Sequence, residues 1–161
     1  MDAKQLRHVM PKNAQDLAAA KELVALGPDE LAPVVPEMLR HLKHHKSPVS
    51  AEFCAFFAMH GKRYIEHVVA VLSRATMPEV KHAILASVLP SWPRDGVAKC
   101  AGVLTMLATN ADAHNNDLLS IHLLARHQLA DAKWLRQWIE FKLARLSERT
   151  QLTQQVAAEI Q

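Results

Sequence analysis

Glycine is scarce in this chain, with four among 161 residues. Loops that cradle phosphates need clustered glycines, and no GxGxxG or GxxxxGK[ST] stretch occurs. HExxH and GxSxG are also missing, which removes the common zinc-hydrolase and serine-hydrolase signatures. Two cysteines, Cys54 and Cys100, sit in separate apolar runs with no CxxC. They read as buried, reduced thiols serving as small hydrophobes, not as a zinc or redox pair. No apolar run approaches the roughly 20 residues of a membrane span. Residues 1–12 are polar and basic, without the apolar centre of a secretory signal. The expectation is a cytoplasmic chain with no membrane partner. No stretch sustains the period-two alternation of a half-buried strand.

Ala and Leu dominate what is there, and both lose little on entering a helix. The length suits one domain over residues 1–161, large enough to fold without a staple or metal. Helix punctuation is legible throughout. Asn13 reads as the cap of a helix over residues 13–26, stopped at Gly27-Pro28 and followed by a short turn over 29–32. A second helix starts through Pro33 and Pro36, with Val35, Met38, Leu39 and Leu42 inward. The third takes Ser47 and Pro48 as cap and first residue and runs through Ala51, Cys54, Ala55 and Ala58 to near Gly61. A fourth carries Tyr64, Ile65, Val68, Val69 and Leu72; a fifth runs from Pro78 to Pro90 with Val80, Ala83, Ile84 and Leu89. A sixth spans about 95–107, and a seventh spans 115–127 with Leu118, Ile121, Leu124 and Ala125 inward. The eighth starts at Asp131 with Trp134, Leu135, Trp138, Ile139 and Leu146. A ninth, from 147 or 148 to 160, is more polar, with a stripe of Leu152, Val156 and Ile160, and reads as a capping or fraying helix.

Short connections between helices of this length imply antiparallel hairpins. Similar starts recur about 30 residues apart, at Ser47-Pro48-Val49 and Met77-Pro78-Glu79-Val80-Lys81, a spacing that signals stacked repeats. A plain antiparallel bundle is the alternative. These proline-led starts resemble HEAT-like repeats. Pro11-Lys12, Asp16-Leu17, the run Pro33, Pro36-Glu37 and Leu39, and Pro48-Val49 further resemble a bacterial family of unknown function with a HEAT-like fold. The resemblance covers the first half of the chain well and the second half loosely. It implies an all-α fold, a short right-handed superhelix of about eight to nine helices, and no catalytic residues. That family carries a Trp and an Asp-rich turn before its Pro-Val pair, where this chain has the basic run Arg40 to Ser47.

That run, Arg40-His41-Leu42-Lys43-His44-His45-Lys46, is the strongest local feature. On a helix, His41 faces His44 and His45 at i+3 and i+4, a spacing that can offer two imidazoles to a metal. Lys43 and Lys46 place like charge beside any such cation. The other readings are a solvated basic helix end or a patch for an acidic partner. Asp112, His114, Asp117 and His122 form a second polar cluster, which reads as loop capping, as partner contacts or as a hydrolytic dyad, though no nucleophile stands at a fixed helical offset to it. Trp92, Arg94 and Asp95 share a loop. Trp92 either seals the core or serves as a binding hot spot. Trp134, Trp138 and Phe141 lie at i, i+4 and i+7, which reads as core packing.

Formal charge is +3, nineteen basic residues against sixteen acidic, which permits nucleic-acid contact without arguing for it. The expectation is a non-catalytic protein-binding module that needs no cofactor and no metal. By association with small bacterial proteins of the same kind, it could be an immunity protein that neutralises a toxin domain. The alternative is a HEAT-like nucleic-acid binder of the DNA-glycosylase sort, with Trp92, Arg94 and Asp95 of suitable types for base extrusion.

Overall fold

Asp2 opens the fold with a reciprocal cap: its carboxylate accepts from the Gln5 backbone N–H, while Gln5 Oε1 accepts from the Asp2 N–H, both at 2.8 Å. The computed structural model describes residues 1–44, 46–110 and 112–159. All regular structure among them is helical. The elements are α1 (Ala3–His8), α2 (Leu17–Ala25), α3 (Pro28–Leu31), α4 (Val35–His41), α5 (Pro48–His60), α6 (Ile65–Leu72), α7 (Pro78–Ala83), α8 (Arg94–Ala98), α9 (Ala101–Ala108), α10 (Asn116–Arg126) and α11 (Ala132–Glu159). Several are joined by tight turns of 3-10 or π geometry, such as Leu42–His44 after α4 and Ile84–Val88 after α7.

Most starts fall where the sequence puts them. Pro28, Pro48 and Pro78 each occupy a first helical position, where the missing N–H costs nothing. Ser47 Oγ accepts from Ser50 N at 3.2 Å. Gly27, at φ +85°, turns the chain out of α2 and into α3. Residues 1–12, to which the sequence reading assigns no element, hold a helix, α1, whose Leu6 is fully buried. Three expectations need correction. The cap of α2 is Asp16, which accepts from Ala19 N, and Asn13 bonds only Gln15 N in the preceding turn. The sixth helix is two, α8 and α9, broken at Lys99-Cys100. The eighth and ninth are one continuous 28-residue helix, α11, with no break at 147; Ile160 lies outside the described residues.

Buried side chains from Leu6 to Leu124 form one connected apolar cluster. At its centre α5 contributes Val49, Phe53, Cys54, Phe56 and Phe57, while Ala51 and Ala55 face outward. Helices α2 and α4 and the Ile84–Val88 turn all pack on α5. That turn also meets α10, which pairs with α9. Cys54 and Cys100 are free and buried. Burial pushes both thiols up, Cys100 to about 11. The first half of α11 packs on the body, with Trp134, Leu135 and Trp138 against the core edge. Phe141 is half exposed, so the aromatic stripe is core packing at one end and surface at the other. No helix of the described residues is long and apolar enough to cross a membrane.

Candidate functional site

The basic run after Arg40 does not continue as an α-helix. α4 ends at His41 and tightens into the Leu42–His44 turn, whose Leu42 is fully buried. This anchors the turn and leaves Arg40, Lys43, His44 and Lys46 exposed. Lys12, from the loop before α2, joins them around two adjacent depressions of about 370 and 400 Å³ that share Lys43 and His44. His45 lies outside the described residues. Glu37 is the carboxylate lining this belt, and it already accepts from Arg7 Nε at 3.0 Å. Asp16, nearby in the chain, is occupied with the N–H groups of Lys12 and Ala19. The belt is thus cationic, with its neighbouring carboxylates engaged.

His41 is the inward member of the run. Its ring meets Phe53 edge-on at 5.8 Å. Burial lowers its pKa below the ordinary histidine value, and the charges of His44 and Lys43 lower it further. The lysines of the run, Lys43 and Lys46, place like charge beside any metal ion held there. Among the described residues no group of three His, Cys, Asp or Glu side chains is placed to hold a metal.

On the far side of Arg40 lies a smaller pocket of about 80 Å³ between α4, α6 and the start of α7. Its floor is apolar, including Leu39, Val71 and Val80, and its charged or titratable lining is Arg40, His67 and Arg74. Met77 sits beside it with φ +67°, a left-handed conformation that is uncommon for a residue with a side chain. Sequence reading missed His67 and Arg74. The signal that could have found them is their spacing, since His67, Ala70 and Arg74 stand at i, i+3 and i+7 on one stripe.

The other singled-out residues go separate ways. Trp92 is 3% exposed, and its indole N–H donates to the Phe57 carbonyl at 2.9 Å. It seals the core, so it is no surface contact. Arg94 donates to the carbonyls of His127 and Gln128, at 3.0 and 3.4 Å, and clamps the turn before α11. Asp95 pairs with Lys62 at 2.5 Å, and that cation holds its carboxyl below the usual range. Trp92, Arg94 and Asp95 therefore form no base-extrusion site. Asp112 accepts from the N–H groups of His114 and Asn116, at 2.7 and 3.3 Å, and shapes the loop before α10. His114 lies 3.7 Å from Glu79. Asp117, nearly buried, forms an ion pair with Lys142 of α11.

The family model described as "Domain of unknown function (DUF5071)" matches residues 9–129. The chain belongs to this family. The belt and the pocket beside Arg40 both lie within the matched region, whereas α11 lies beyond it. No curated protein matches the sequence.

Proposed function

We propose that this chain is a non-catalytic protein-binding module, its helical hairpins stacked in the HEAT-like manner, which takes an acidic partner on the belt around Lys43. The observation that carries the reading is the belt itself. Lys12, Arg40, Lys43, His44 and Lys46 gather around adjoining depressions, while Glu37 and Asp16 are engaged elsewhere. A surface of one sign steers an oppositely charged partner toward it and selects against a like-charged one. The pocket between Arg40, His67 and Arg74 continues that surface and offers an apolar floor for an anchoring side chain. The resemblance to small HEAT-like bacterial proteins extends the proposal to an immunity role. In that reading the chain works in the cytoplasm and neutralises a toxin domain by covering it.

A phosphate backbone is the competing ligand for such a belt. The test is a pull-down from nuclease-treated host lysate with the intact chain as bait, at moderate and high salt. A stoichiometric protein with an acidic surface supports the reading. Material recovered only without nuclease, and lost steeply as salt rises, moves the assignment to nucleic acid.

A further inference from the structure

The large apolar side chains that the described residues leave exposed concentrate on α11: Ile139, Phe141, Leu143, Leu146, Leu152 and Val156. From Leu143 to Ala158 every side chain is exposed. This overhang of roughly 25 Å buries none of its side chains, and such a helix is marginal in water. Phe141, Arg145, Leu152 and Val156 continue the stripe by which Trp134 and Trp138 dock. That stripe and the loop before α10 enclose a cleft of about 560 Å³, with Leu118, Phe141, Leu146 and Leu152 among its walls. An apolar concentration of this kind on a soluble chain marks an interaction surface.

The charges in the cleft indicate its occupant. Arg145, Arg149 and Glu148 line it, while Asp112 is taken up by backbone N–H groups and Asp117 is paired with Lys142. A contact across a two-fold axis brings a patch against its own copy, so a patch that satisfies itself must carry both signs. The belt around Lys43 fails that condition and the cleft meets it. We infer that α11 mediates a symmetric dimer, the overhang of one copy lying antiparallel in the cleft of a second copy. Apolar contact through Leu146 and Leu152 supplies the attraction, and arginine against carboxylate sets the register. The inference is independent of the acidic-partner reading, which concerns another face.

The test is the mass of the intact chain by light scattering and sedimentation, from low to high micromolar concentration. The expected result is a concentration-dependent rise to twice the monomer mass. Leu152→Glu should weaken the dimer roughly thirtyfold or more, the size of a hot-spot loss. Glu148→Arg alone should weaken it, and Glu148→Arg combined with Arg145→Glu should restore much of the loss. These side chains are exposed, so helix content by circular dichroism should not change, and any loss of dimer then reports the interface. A chain that stays monomeric throughout, or a dimer indifferent to Leu152→Glu, overturns the inference. A monomer would leave the cleft to a helix of a different protein.

Discussion

Trp92 and Gly61 are coupled in a way that a single substitution can expose. A Cβ at Gly61 would stand 2.3 Å from the Trp92 ring, an overlap that forces one of them to move. Gly61→Ala is expected to destabilise the chain by about 1–3 kcal/mol, as overpacking does. With the smaller ring of Trp92→Phe in place, the same Gly61→Ala change should cost less, and urea unfolding of the four variants measures that coupling. Histidine supplies a second expectation at this scale. Burial is the first cause lowering both His41 and His127; neighbouring cations add to it, His44 and Lys43 for the former, Arg126, Arg94 and His122 for the latter. The unfolded chain therefore binds protons first as pH falls through about 6.5, so stability declines from there until the folded histidines also charge. His41→Gln should flatten that decline in denaturant titrations between about pH 7 and pH 5. The two residue-scale alternatives at Trp92 could not be separated from its neighbours in sequence. The choice is made by Phe57 and Gly61, more than thirty positions away.

At the scale of elements, the ion pair between Asp117 and Lys142 is the polar link that holds α11 to the body. Both side chains are nearly buried, so removing the carboxylate strands an ammonium away from water. Asp117→Ala is expected to cost roughly 3–5 kcal/mol if the helix stays docked. If it undocks instead, the cost is smaller, and amide exchange rises over the first half of α11 while α5 stays protected. This pair also explains where the sequence misleads. Periodicity puts Leu118 and Ala125 of α10 inward, but Asn116, Asp117 and Ser120 are the buried ones. Asn116 Nδ2 donates to the Pro78 carbonyl, and Asp117 meets Lys142, so partners on distant elements make those polar positions tolerable. No local pattern announces such a partner. Helix starts are legible because caps and prolines act within one turn, as at Ser47-Pro48 and Pro78. The two ends of α11 fall close to where the sequence puts them, but the expected break at 147 or 148 is absent because nothing in residues 143–149 breaks a helix.

At the scale of the molecule, the all-helical fold was legible and the cationic belt only half so. The basic run was visible as composition. Its orientation depended on Leu42 dropping into the core and tightening the turn, which leaves Arg40, Lys43 and His44 outward and turns His41 toward Phe53. The contributions of Lys12, His67 and Arg74 came from packing, since they belong to segments far apart in the chain. The measurement that tests the central claim most directly is a paired pull-down from nuclease-treated host lysate, the intact wild-type chain beside Arg40→Glu combined with Lys43→Glu. Both positions are exposed, so the variant should unfold at the wild-type urea midpoint, within about 0.5 kcal/mol of stability. The expected result is one stoichiometric acidic protein retained by the wild type and lost by the variant. The same protein retained equally by both baits would contradict the assignment of the belt as the binding surface.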